Sequence, residues 1–579
     1  MFDAATKSFL HQVILGEDQQ LEWFRWAGND RLLISISGKT MHFGEEARIS
    51  RLLSYELSTN TTSKVGWNAR GLVGDDVLFI DPLGRYVLLA IQVSVYDWPS
   101  IYRYDLTSGK PDKGTRVQGP RTGIWDWYAD NAGVVRMGLE PIGTRRVKIW
   151  YRSAADAPLK VVAKFGEEDF EDKIWDFLRL TSGSDEGYVL EDVDGRVALR
   201  RFNYATRTSG ETVYSNPDWD LTAATISDNG EPIAAFFTDD KDRVVWFDEG
   251  MKSIQARLEK AMPDKDISVI SRSKDDSRML VAIGNEADPG ALYIFTSESR
   301  TLEYFAEYRP QLLGQPLVKP SPVRYAARDG TVIHGYLALP SLRPAKALPL
   351  VILPHGGPFG VRDTLDYNDE VQFLANRGYA VLQPNYRGSG GYGDAFEALG
   401  KGQIGRAMQD DIDDARAWLV KEGIADPARV CVVGSSYGGY AALWAVLRNP
   451  ELYRCAASFA GVTDWDRQLR YDTKFLSKKT RRKQQAWTHG AETGFDFASV
   501  SPARQVALLK RPVLLAHGDE DSNVPFSQFK DMRDAAAKSG VPLELIVFEG
   551  EGHGFAKSEN EQRWYDTLGA FLQRNNPAD

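Results

Sequence analysis

A β-propeller followed by a doubly wound α/β domain with a mostly parallel sheet is the fold this sequence predicts. Three observations predict it. Strand–turn–strand segments recur through the first 310 residues at nearly constant spacing. Prolines then cluster in "RPQLLGQPLVKPSP", residues 309–322. Beyond them, apolar runs alternate with helical patterns to the end of the chain.

The repeat comes first. "SYELSTNTTSKV" begins at Ser54 and "YRYDLTSGKPDKGTRV" at Tyr102. Equivalent segments begin at Ile149, Leu199, Val244 ("VVWFDEGMKSIQARL") and Leu292, each read as a strand, a turn and a second short strand. Between them lie paired strands with Asp/Asn/Gly-rich turns, such as "VLFIDPLGRYVLLAI" from Val77. Four strands at a period of about 45 residues is the pattern of a propeller blade. Residues 1–310 are therefore expected to form six to seven blades, and residues 311–579 a second, α/β domain.

In the second half, "PLVILPHGG", "YAVLQPNYRG", "VCVVGSS", "CAASFAGV", "PVLLAHGDED" and "LELIVFEGEGHG" read as buried strands. "QIGRAMQDDIDDARAWLVKEG" reads as a helix, with Ile404, Met408, Ile412, Ala415 and Leu419 on one face.

Bulk properties bound the function. The chain has 579 residues, 43% apolar and 26% charged, enough for two large cores. A net charge of −10 leaves no excess of cations for phosphates and argues against a nucleic-acid partner. No segment offers the about 18 uninterrupted apolar residues of a membrane span. The start, "MFDAATKSFLHQVILGEDQQ", lacks the basic, apolar and small-residue regions of a signal peptide. The expected compartment is the cytoplasm, or the periplasm if a signal has been removed. Cys431 and Cys455 are expected as buried thiols. The alternative is a disulfide between neighbouring strands, which would favour an oxidising compartment.

Chemistry concentrates where the predicted strands end. "VVGSSYGGY", residues 432–440, places Ser436 between Gly434 and Gly438, after a strand and before a helix. That is the context of a nucleophile elbow. A serine hydroxyl needs a base. Of seven histidines, His553 in "FEGEGHGF" follows the last strand, with glycines on both sides. A carboxylate must orient that ring. "HGDEDSNVP" offers Asp519, Glu520 and Asp521, and the chain order nucleophile, acid, histidine is that of an α/β-hydrolase. Oxyanion donors are expected from the N–H of Tyr437 and from "LPHGGP", where Gly356 and Gly357 let the main chain approach a substrate.

The motifs "HGGP", "NYRGSGGYG", "GSSYGGY", "HGDEDSNVP" and "GHGF", in this order behind a repeated β domain, resemble the prolyl oligopeptidase family of serine peptidases. The pattern is most similar to its acylaminoacyl-peptidase and dipeptidyl-peptidase-like bacterial branch. The resemblance covers residues 320–575 by motif and the propeller by architecture. It implies an α/β-hydrolase domain with Ser436, Asp521 and His553 as triad, and Tyr437 and Gly357 as oxyanion donors. It implies an S1 pocket of Val462, Trp465 and Val524, with Asn523 near the substrate carbonyl. The implied activity is hydrolysis of short peptides near their N-terminus through an acyl-enzyme, with no cofactor or metal. The propeller would exclude folded chains.

Two features depart from the family. Periplasmic members begin with a signal peptide and further propeller sequence, and neither is visible here. Glu45-Glu46 and Glu167-Glu168 read as solvated loops rather than as an amine-binding pair, as does "KKTRRK" from Lys478. An esterase on the same triad is the alternative enzyme, and a propeller platform carrying an inactive hydrolase the alternative class. Cleavage position and any homo-oligomer stay open.

Overall fold

The computed structural model describes residues 1–579 apart from 2–5, 7, 17–18, 43–44, 68–69, 109–112, 143–145, 166–175, 473–486, 491–493 and 579. Six antiparallel sheets follow one another among the described residues up to Glu307. The first runs from Gln19–Ala27 to Thr61–Val65 and the last from Asp266–Arg272 to Thr301–Glu307. Within each sheet the strands pair in chain order, as up-and-down blades must. Five sheets have four strands and the fifth blade has three. The N-terminal half is a six-bladed β-propeller.

Neighbouring blades share apolar clusters. Ala27, Leu33, Leu52 and Val65 of the first pack with Val87, Leu89 and Tyr104 of the second. The "DPLG" turn of the second blade shows why its glycine is needed. Gly84 has φ +70°, and a Cβ there would stand 2.2 Å from the carbonyl oxygen of Ala27. Asp81 Oδ2 accepts the amides of Leu83 (3.2 Å) and Arg85 (3.1 Å), which fixes the turn.

One expected strand is a helix. After Asp242–Trp246 the chain forms α1, Glu249–Ala261. Asp248 caps it by accepting the N–H of Met251 at 2.8 Å. Met251, Ile254 and Leu258 pack under the sixth blade. The i, i+3, i+7 spacing of those three residues is helical, whereas a strand would alternate.

The second half is an α/β-hydrolase sheet of eight strands. They are β1 Ser321–Ala326, β2 Val332–Ala338, β3 Leu348–Ile352, β4 Ala380–Asn385, β5 Ala425–Ser435, β6 Cys455–Phe459, β7 Val513–Gly518 and β8 Glu544–Phe548. Their spatial order is β1-β2-β4-β3-β5-β6-β7-β8. The pairs β1–β2 and β2–β4 are antiparallel and the rest parallel. Leu350, Ile352 and Val432 face one core with Met408, Ile412, Leu419 and Leu443. Val351 and Val433 face the other with Leu374, Leu568 and Phe571. Period-two alternation with both faces apolar is what a doubly covered sheet requires. The longer helices among the described residues are α2 Asp369–Ala375, α3 Ala407–Lys421, α4 Tyr437–Arg448, α5 Trp465–Asp472, α6 Ser527–Ser539 and α7 Ser558–Asn575.

The cysteines correct the expectation of two thiols. Cys431 on β5 and Cys455 on β6 are direct register partners with Cα atoms 4.8 Å apart, and they form a disulfide. The β5–α4–β6 crossover brings the two residues to the same level and face, which neither local pattern reveals.

One buried ion pair ties the loop after β4 to α3. Arg387 donates from Nε and from its own amide to Asp411 Oδ2 (both 2.9 Å), and from Nη2 to Oδ1 at 2.7 Å. The Asp411 side chain is fully enclosed. Arg387→Ala is expected to cost about 3–5 kcal/mol, because it leaves that carboxylate buried and unpaired. Denaturant unfolding checks this, and Arg387→Met with Asp411→Leu should lose much less.

Candidate active site

β5 ends at Ser435, and α4 starts at Tyr437. Ser436 alone makes the turn, with φ 58° and ψ −122°. This is a strained conformation for a residue with a side chain, and such strain recurs at functional sites. Gly434 and Gly438 serve a different purpose, since neither has positive φ. A Cβ on Gly438 would lie 2.0 Å from the Pro354 carbonyl oxygen, and one on Gly434 would lie 2.5 Å from the carbonyl carbon of Gly438. The elbow glycines permit close packing; the serine bears the bend.

Two loops at the same sheet edge supply the other groups. His553 Nδ1 donates to Asp521 Oδ2 at 2.7 Å, which leaves Nε2 as the ring's acceptor. The Asp521 carboxylate is enclosed, while the His553 side chain is 26% exposed. Asp521 Oδ1 accepts the amides of Asn523 (2.8 Å) and Val524 (3.0 Å). Burial alone would raise its pKa, but hydrogen bonds from His517 and His553 outweigh that and hold it well below the usual carboxylate range. Its contribution to stability is therefore complete above about pH 4 and is lost as pH falls through the folded-state value. Neither Asp519 nor Glu520 contacts His553: Asp519 accepts the Gly550 amide at 2.7 Å, and Glu520 lies 3.7 Å from Lys39 of the first blade.

Two supporting residues are not evident in the sequence pattern. His517 Nε2 donates to the Val524 carbonyl (2.8 Å) and lies 3.4 Å from Asp521 Oδ2, so it braces the acid loop from behind. Glu551 is buried and accepts the amides of Ala556 (2.7 Å) and Lys557 (3.1 Å) and the Asn560 side chain (2.7 Å). It clamps the loop that carries His553. The "HGD" and "EGEGHG" runs were the available signals.

Ser436 and His553 line one cavity of about 630 Å³. Among the described residues no hydrogen bond joins them. Such bonds are often long in unliganded sites and tighten when substrate arrives. Gly357, with φ +125°, and Tyr437 line the same cavity. The N–H of Tyr437 is in the first turn of α4, where helix amides have no intrahelical acceptor. His355, in the loop after β3, is anchored underneath: its Nε2 pairs with Ser389 Oγ at 2.9 Å, and burial pushes its pKa down to about 4. Tyr386 donates to the His355 carbonyl at 2.9 Å.

All four expected pocket residues, Val462, Trp465, Asn523 and Val524, line the cavity. Trp465 packs edge-on against Tyr440 with ring centroids 5.1 Å apart. Gln468 and Asp472 join Trp465 on one face of α5 at helical spacing, and Glu397 enters from the short helix Asp394–Ala398. The cavity therefore has an apolar wall and a polar one. Lys478 and the rest of "KKTRRK" lie outside the described residues, as do Glu167-Glu168. Glu45-Glu46 open a strand of the first blade, with their side chains outside the described set.

The packing argument has a direct test. Gly438→Ala is expected to destabilise the fold by about 2 kcal/mol or more, since backbone has to shift. Gly552→Ala, beside His553 but with nothing within 4 Å of its Cβ position, should leave stability unchanged or slightly raised. Thermal unfolding of both variants decides it.

Comparison with known proteins bears on the fold and on the C-terminal sequence. Residues 365–577 match the prolyl oligopeptidase family model. The chain is 34% identical over 333 residues to dipeptidyl aminopeptidase BIII of Pseudoxanthomonas mexicana, covering 55% of this chain and 48% of that protein. It is 30% identical over 259 residues to the human acylamino-acid-releasing enzyme, covering 43% and 34%. The chain thus spans about half or less of the length of these curated relatives. A puromycin-hydrolyzing peptidase of Mycobacterium tuberculosis has the same fold, with TM-score 0.70 and 18% identity over 96% of this chain and 95% of that one. With the elbow and the paired histidine and acid at one sheet edge, the C-terminal domain is similar, over residues 365–577, to the prolyl oligopeptidase family of serine peptidases.

Proposed function

We propose that the protein hydrolyses short peptides near their N-terminus, releasing dipeptides or acylated amino acids through an acyl-enzyme. The observation that carries this reading is the His553–Asp521 pair, 2.7 Å apart, with His553 lining the cavity that also holds the strained Ser436. In the proposed mechanism Ser436 Oγ attacks the scissile carbonyl while His553 Nε2 takes its proton. The Gly357 and Tyr437 N–H groups receive the charge that develops on the carbonyl oxygen. His553 then returns the proton to the leaving amine. Water, deprotonated by the same ring, releases the acyl group. Asp521 keeps Nδ1 protonated and stabilises the imidazolium. Val462, Trp465 and Val524 give the residue before the scissile bond an apolar wall.

The propeller supports short substrates. A cavity of about 690 Å³ lies among the innermost strands of its blades, lined by Asp76, Tyr128 and Arg179 among others. The hydrolase domain closes against the blades, with Arg309 on Asp369 at 2.8 Å and Lys319 on Glu286 at 3.1 Å. A seam tied by such ion pairs favours short, extended chains over folded ones. The relatives named as dipeptidyl and acylamino-acid-releasing peptidases support the cleavage position.

Ser436→Ala is expected to abolish both hydrolysis of peptide anilides and labelling by a fluorophosphonate, with melting unchanged. Turnover in that variant would refute the assignment. Asp521→Asn should lower kcat about 10⁴-fold. A peptide-library digest read by mass spectrometry locates the bond cut: internal cleavage throughout long peptides would overturn the N-terminal reading.

An oxidising compartment is proposed from the Cys431–Cys455 disulfide. The denatured, unreduced protein isolated from its source should show no thiol by Ellman titration, and two after reduction. Two thiols before reduction would place it in a reducing compartment.

A further inference from the structure

A second cleft, of about 570 Å³, lies in the seam between the propeller and the hydrolase domain. None of its lining residues borders the cavity of Ser436. Arg196 enters it from the fourth blade, and Trp219 from the connection to the fifth. Arg324 on β1 and His334 on β2 enter from the hydrolase sheet, followed by Tyr392 and Phe396. The rings form a continuous floor. Trp219 and Tyr392 are 5.5 Å apart, Tyr392 and Phe396 5.2 Å, and His334 and Tyr392 4.6 Å.

Charge in this cleft is not balanced from within. Arg196 Nη1 is enclosed with no hydrogen-bond acceptor. It presses on Gly393, where a Cβ would come within 1.8 Å of it. Among the described residues neither Arg196 nor Arg324 has a carboxylate partner. Asp220 is taken by the amides of Val197 (3.1 Å) and Gly393 (3.2 Å). Arg362 is also committed elsewhere: it lies over the Tyr392 ring at 4.1 Å and donates to the Asp239 carbonyl and the Tyr336 hydroxyl. Burial, then Arg324 and Arg362, push His334 down to about 4, so its ring is neutral at pH 7. Asp218 is the one acidic residue of the lining, and it is exposed.

An enclosed guanidinium N–H without an acceptor is costly, and a planar carboxylate is the group whose geometry best matches it. Three aromatic rings beside the two arginines would hold an apolar, planar substituent on that carboxylate. We infer that this cleft binds small aromatic carboxylates, such as the free C-terminal aromatic residue of a peptide. The carboxylate rests on Arg196 and Arg324, and the ring among Trp219, Tyr392 and Phe396. Because the two arginines belong to different domains, the ligand also ties the propeller to the hydrolase.

The test uses the full chain carrying Ser436→Ala, so that nothing is turned over. N-acetyl-L-phenylalanine is titrated by calorimetry against its uncharged amide and against acetate. The acid should bind at least tenfold more tightly than either control and should raise Tm. Arg196→Met and Arg324→Met should each weaken it tenfold or more, and Arg196→Lys should retain part of the affinity. Should Arg196→Met fail to fold, Arg324→Met decides, since that side chain is exposed and unpaired. Equal binding of acid and amide, affinity undiminished without the arginines, or no binding at millimolar ligand would each overturn the inference. The result is independent of the peptidase reading, because Ser436 plays no part in the cleft.

Discussion

Parallel pairing of β3, β5, β6, β7 and β8 is the constraint on which the rest depends. Each of these strands runs the same way, so the loops that follow them emerge at one edge. Gly357 follows β3, Ser436 follows β5, Val462 follows β6, Asp521 follows β7 and His553 follows β8. Residues separated by up to about two hundred positions meet because each crossover returns the chain to the opposite edge before the next strand begins. Without that pairing, the sharp turn at Ser436 would be strain with no use.

The strain is held by packing on both sides. Ser436 N–H donates to the Phe459 carbonyl at 3.0 Å, and its own carbonyl accepts from Tyr440 at 3.0 Å. The contact of Gly438 with Pro354 brings the loop after β3 down onto the elbow. A side chain at 438 would push apart the two loops that hold the proposed nucleophile and the proposed donor Gly357. The acid and histidine loops are fixed in the same manner, by His517 and Glu551, buried polar groups spent on backbone and carboxylate rather than on substrate.

Much of this was legible in the residues, for physical reasons. Blades repeat because each must bury the same face against its neighbour, and the turn residues mark them. The elbow and the order serine, acid, histidine are local patterns, and the structure places Ser436, Asp521 and His553 at one edge. What escaped the pattern depends on distant partners. Of the first two hydrolase strands, β1 is largely exposed and β2, though mostly buried, is interrupted by His334 and Gly335, so neither has the apolar run of the parallel strands. The helix after Val244 begins with Glu-Gly, which reads as a turn until Met251 and Leu258 find their core. The disulfide depends on register between strands, and His517 on the fold of the loop it braces. The unpaired Arg196 is visible only once the seam is built, since its isolation depends on which carboxylates fail to reach it.

The seam is also continuous with the active site along the chain. From His355 and Gly357 the backbone runs into Arg362, which donates to the Asp239 carbonyl at 2.6 Å. The Leu365 amide then meets the Asp240 carbonyl, also at 2.6 Å, on the fifth blade. Asn385 holds this strap from the hydrolase side, accepting the Asp363 amide at 2.8 Å and returning a bond to its carbonyl at 3.0 Å. Only four residues separate Gly357 from Arg362, whose side chain is anchored on the propeller. A strap this short, hydrogen-bonded to both domains, couples their positions. Parting of the two domains at Asp239–Asp240 would therefore pull on the loop that carries the proposed oxyanion donor, while Ser436, held between β5 and α4, would stay in place.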